Sequence, residues 1–119
     1  MPKITFNLST EFQNDVEQII PVVTKGDTLE LFFNIRDGYK VGLEDVAMAT
    51  VVFCRLKTGE KYSFDGEYTI NQIQQPQVRL YIQAVPMIAG DYGVKLFVYN
   101  AAGERVSTMP VVVRIVEEI

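Results

Sequence analysis

The sequence contains no histidine and no tryptophan, a single cysteine, and no apolar run near the eighteen or so residues that a membrane-spanning helix requires. Each absence removes a class of function. Without histidine the chain lacks the commonest metal ligand and the usual general base at neutral pH. Without tryptophan it lacks the side chain best suited to stacking on a sugar ring. Cys54 has no partner for an intrachain disulfide, whereas small secreted domains usually carry one. The opening Met1-Pro2-Lys3-Ile4-Thr5-Phe6-Asn7 alternates polar and apolar residues where a signal peptide is continuously apolar. Folding in a reducing cytosol is the expectation.

Positive charge is also scarce. With 11 basic and 15 acidic residues the net charge is −4, and phosphate backbones and anionic lipids are bound by clustered Lys and Arg. Neither nucleic acid nor a membrane is expected as a partner. The 119 residues, 48% of them hydrophobic, suffice for one compact core. One domain is expected over residues 1–119, with 1–20 available as an N-terminal arm that packs on it.

No constellation of reactive groups compensates for the missing histidine. Ser9, Ser63 and Ser107 have no base-bearing motif beside them, and Ser63 and Ser107 fall in strand patterns where a solvent-facing serine is ordinary. Glu44-Asp45, Asp65-Gly66-Glu67 and Glu117-Glu118 lack the ligand spacing of a calcium loop and read as solvated turn residues. Cys54, within Thr50-Val51-Val52-Phe53-Cys54-Arg55, reads as a small packing residue. No glycine-rich phosphate loop or zinc spacing occurs. The expectation is a non-enzymatic protein without metal or cofactor.

What the chain does have is turns and alternation. Turn signals at Lys25-Gly26-Asp27, Asp37-Gly38, Lys57-Thr58-Gly59, Asp65-Gly66, Ala89-Gly90-Asp91 and Ala102-Gly103 separate segments rich in Val, Ile, Phe, Tyr and Thr. Period-two alternation in Leu29–Ile35 and Val78–Gln83 marks half-buried strands. Strands are predicted at Ile4–Leu8, Ile19–Val23, Thr28–Ile35, Ala49–Leu56, Lys61–Phe64, Tyr68–Ile73, Val78–Gln83, Tyr92–Asn100 and Arg105–Val116. Pro110 cannot donate to a ladder, so the last of these is expected to carry a bulge, an edge position or a switch between sheets. Thr10–Gln18 reads equally as a turn of helix or as a loop. The implied fold is all-β, an antiparallel sandwich of about seven to nine strands.

Gly90, Asp91 and Tyr92 sharpen that expectation. A tight Gly-Asp turn that starts a strand through a tyrosine looks like the tyrosine corner of immunoglobulin-like sandwiches, whose hydroxyl bonds back to the upstream backbone. With Tyr92 inward, Val94, Leu96 and Val98 follow it, and Lys95, Phe97 and Tyr99 face out. Inward Val51 and Phe53 likewise leave Val52, Cys54 and Leu56 on the same outer face. The outer positions of the other sheet, Glu67, Thr69, Asn71, Arg79, Tyr81 and Gln83, are mostly polar. Val52, Cys54, Leu56, Phe97 and Tyr99 are therefore the candidate interface. Either the N-terminal segment Ile4–Ile20, with Phe6, Leu8, Phe12 and Ile19, covers that face, or another subunit does.

From Lys25 onward the order of elements resembles the N-terminal immunoglobulin-like domain of phage baseplate upper proteins. The matching pieces are Lys25-Gly26-Asp27-Thr28, Asp37-Gly38, Val46–Phe53, Lys57-Thr58-Gly59-Glu60, Ala89-Gly90-Asp91-Tyr92, Asn100-Ala101-Ala102-Gly103-Glu104 and Thr108-Met109-Pro110. The pattern departs after Asp37-Gly38, where Val41-Gly42-Leu43-Glu44-Asp45-Val46 replaces the family's proline and Leu-Thr-Gly. What the resemblance implies is a virion structural module that docks on other tail or baseplate proteins and oligomerises, with a trimer suspected. The alternative expectation is a carbohydrate-binding or adhesin-type sandwich that uses loop aromatics such as Tyr39 and Tyr68.

Overall fold

A computed structural model describes residues 3–8, 20–35, 46–70, 76–108 and 110–117 of the chain. Every regular element among them is a strand: β1 (Lys3–Leu8), β2 (Val22–Thr24), β3 (Leu29–Ile35), β4 (Val46–Arg55), β5 (Lys61–Ile70), β6 (Pro76–Ile82), β7 (Gly90–Asn100), β8 (Arg105–Ser107) and β9 (Val111–Val116). They form one curled sheet in the order β1-β3-β6-β5-β4-β7-β9-β2, with β8 added to β7. The helix-or-loop segment Thr10–Gln18 and the Asp37-Gly38 turn lie outside the described residues.

The sheet is mixed, which corrects the antiparallel expectation. β1 runs parallel to β3, with Lys3 opposite Glu30, and β2 runs parallel to β9, with Val22 opposite Arg114. The first 24 residues thus supply both edges of the curl. Neither pairing has a local signature, because parallel partners are joined by long connections and not by a tight turn.

The predicted strands Lys61–Phe64 and Tyr68–Ile73 are joined in one strand, β5, which the described residues carry as far as Ile70, a second correction. Asp65-Gly66 is not a turn: Gly66 pairs with Ala49 of β4, and the next residue, Glu67, pairs with Arg79 of β6. β5 therefore passes from one neighbour to the other at this glycine. The reason for glycine is proximity, since a Cβ there would lie 2.5 Å from Val78 Cγ1.

The last predicted strand divides at Pro110. Between the pairs Phe97–Ser107 and Val94–Val111, the β8–β9 side holds one more residue than β7, which is a bulge. Thr108, buried at that point, donates its N–H to Leu96 O, and its hydroxyl accepts the Leu96 N–H, each at 3.1 Å. Two backbone groups that the break would orphan are thereby satisfied.

Alternation places the core inside the curl. Leu29, Leu31, Phe33, Val51, Phe53, Val78, Leu80, Val94, Leu96 and Val113 are buried there, and Phe6 of β1 stacks on Phe33 at 5.4 Å. On the outside, Glu30 of β3 accepts a hydrogen bond from Arg79 Nε at 2.6 Å and faces Lys3 at 3.7 Å. A buried carboxylate is thus matched by two cations from neighbouring strands.

Candidate functional site

β7 sets the geometry of the outer face. Its residues alternate strictly, with Tyr92, Val94, Leu96 and Val98 buried and Gly93, Lys95, Phe97 and Tyr99 half-buried on the other side. The phase is fixed at the strand's start. Tyr92 is fully buried, its ring meets Phe53 and Tyr62 edge-on, and its hydroxyl donates to Ile88 O at 2.7 Å. Burial raises the Tyr92 phenol above its ordinary pKa. The Tyr62 phenol is also raised, first by its hydrogen bond to the Glu60 carboxylate at 3.0 Å.

The Gly90-Asp91 turn is held from both sides. Arg55 donates through Nε and Nη2 to Ala89 O at 3.2 and 2.8 Å, and it fills the space that a side chain on Gly90 would occupy, 2.7 Å from its Cβ position. At φ 152°, Gly90 has a backbone conformation that other residues rarely adopt. Asp91 accepts from Arg114 Nε at 2.8 Å, and that guanidinium holds its carboxyl below the usual carboxylate range.

Cross-strand register then builds the face. Thr50 of β4 lies opposite Phe97, Val52 opposite Lys95 and Cys54 opposite Gly93. On the other side of β4, Val52 faces Ser63 and Cys54 faces Lys61. Since directly paired residues point the same way, these side chains share one surface. They line a concavity of about 560 Å³ whose floor contains all five residues predicted from the sequence, Val52, Cys54, Leu56, Phe97 and Tyr99. Leu56 is 60% exposed and Met48, opposite Tyr99, is 49% exposed.

The sequence reading missed Gly93, Lys61, Lys95, Arg105 and Pro110 as parts of this surface. Lys95 was placed on the right face but not assigned to the interface, and Lys61 and Arg105 enter only through cross-strand register. The Arg105 guanidinium lies over the Phe97 ring, 4.9 Å from its centroid, so one of the two outward aromatics is partly covered from within the chain.

The N-terminal strand does not cover this face. β1 lies at the far edge of the curl and turns Phe6 into the core. Phe12 and Ile19 lie outside the described residues. Of the loop aromatics considered for sugar binding, Tyr68 packs against the core from β5, and Tyr39 lies outside the described residues. Ser63 is exposed, Ser107 is half-buried, and no group of three or more metal-ligating side chains occurs among the described residues.

No protein-family model matches the chain, and no curated protein matches it in sequence. Its fold is similar to that of the N-terminal domain of ORF48 of phage TP901-1, with a TM-score of 0.64 at 13% identity over 98% of this chain and 100% of that one. A cycloalternan-degrading enzyme from Trueperella pyogenes, solved with a covalent intermediate, gives a TM-score of 0.48 at 10% identity over 83% of this chain and 16% of the enzyme. The second likeness is too slight to carry meaning for function. The first is a likeness of fold.

Proposed function

We propose that this chain is a non-enzymatic structural module of a phage tail baseplate, which docks on neighbouring baseplate proteins through the outer face of β4 and β7 and self-associates as a trimer. The observation that carries this is the end-to-end likeness to the N-terminal domain of a phage protein. The apolar concavity, which no described part of the chain covers, supports it. The protein folds in the host cytoplasm and works in the virion, without cofactor.

The curled sheet is, on this view, an immunoglobulin-like sandwich. β1, β3, β6 and the second half of β5 form one layer, and the first half of β5 joins β4, β7, β9 and β2 in the other. The Tyr92 hydrogen bond to Ile88 O supports this as a tyrosine corner. A sugar-binding role is less well supported, since Tyr68 packs against the core and no tryptophan is present.

Antibodies to the protein are expected to label the tail tip of virions produced from a genome carrying the gene. Tyr99→Lys, folded by circular dichroism, should be missing from those virions. Unlabelled virions would contradict the proposal, and a strict monomer in light scattering would remove the trimer from it.

A further inference from the structure

We propose that the concavity on β4 and β7 receives an acidic segment with apolar anchors from a neighbouring protein, a proposal that rests on the docking role of this face. Two independent observations carry it, one of charge and one of shape.

The chain is acidic overall, yet the concavity is lined by Lys61, Lys95 and Arg105 and by no carboxylate. Asp65, across from Thr50, stands outside the lining. Elsewhere on the sheet Lys3, Arg79 and Arg114 each meet a carboxylate, and Arg55 is taken up by the Ala89 carbonyl. Lys61, Lys95 and Arg105 form no ion pair with any described residue. Arg105 instead rests on the Phe97 ring, which holds the guanidinium at the rim of an apolar floor. Cations left unpaired around an apolar surface complement a partner that brings negative charge and hydrophobic side chains together.

Shape points to the same place. Glycine inside a strand weakens it, and commonly marks either close internal packing or the approach of another chain. Gly66 is the first kind, with Val78 Cγ1 2.5 Å from its Cβ position. Gly93 is not. Its φ is not positive, and the first atom a Cβ would meet is Leu56 Cδ2 at 3.4 Å, the end of a flexible exposed side chain. The domain's own packing does not require glycine at 93, and its effect is a recess in the floor beside Leu56 and Cys54. An apolar side chain of the partner fits over Gly93, with flanking carboxylates directed to the three cations.

The test is selection of a random short-peptide library on the immobilised full chain, with binding of the enriched peptides then measured by fluorescence anisotropy. Peptides rich in Asp and Glu with interspersed Leu, Ile or Phe should emerge. Their binding should weaken with added salt, and should drop about tenfold or more with Lys95→Glu or Gly93→Leu. Lys95→Glu serves alone where Gly93→Leu fails to fold. Neutral or basic winners, the absence of any enrichment, or binding indifferent to both substitutions would overturn the proposal. So would a self-association abolished by Gly93→Leu, which would make a second copy the occupant. Where Tyr99→Lys is still lost from virions, those outcomes refute only the acidic partner and leave the docking role standing.

Discussion

Tyr92 links the interior to the outer face, because its inward direction fixes which β7 residues face out. Its hydroxyl has a single backbone acceptor, Ile88 O, so Tyr92→Phe should lower stability by about 1 kcal/mol in chemical denaturation. No loss would show that the bond does not hold the turn. The raised pKa of this phenol also sets a sign: the folded state holds the proton more tightly than the unfolded one. Its contribution is complete below about pH 10 and is lost as pH rises beyond that. Alkaline destabilisation should therefore be shallower in Tyr92→Phe than in the wild type, with Tyr62 accounting for part of what remains. The two strand glycines make a second pair of residue-scale tests. Gly66→Ala drives a methyl group into Val78 and should cost about 1–3 kcal/mol. Gly93→Ala meets only the end of Leu56 and should change stability by no more than about 0.5 kcal/mol. Equal costs at the two positions would contradict the distinction between internal packing and an open recess.

At the scale of elements, most strands were legible because alternation and Gly-containing turns are local properties of the chain. Asp65-Gly66 was misread for a physical reason: the same two residues that make a turn also allow close strand packing, and only the position of Val78 distinguishes them. The strands β1 and β2 were themselves legible, but their parallel pairing left no local trace, since their partners lie twenty or more positions away along the chain. Pro110 did announce an irregularity, and the structure resolves the three options into a bulge stitched by Thr108. Thr108→Val keeps the volume but leaves the Leu96 N–H buried without an acceptor, which should cost about 1–3 kcal/mol. Hydrogen exchange at Leu96 should accelerate in that variant. Unchanged stability and exchange would mean that water or a shifted backbone replaces the hydroxyl.

Across the whole molecule, the outer face of the curl is polar and internally paired around β3 and β6, through Glu30, Arg79, Lys3 and Glu67. Around β4 and β7 the outer face is apolar, concave and lined with cations that form no ion pair with any described residue. The first half of this contrast could be read from alternation once Tyr92 was set inward, and so could the five floor residues. The cationic rim and the recess at Gly93 could not, because they depend on which strands become neighbours. The most direct measurement is immunogold labelling of virions assembled with wild-type protein and with folded Tyr99→Lys. The account predicts label at the tail tip for the wild type and none for the variant, whereas unlabelled wild-type virions, or equal labelling of both, would contradict it.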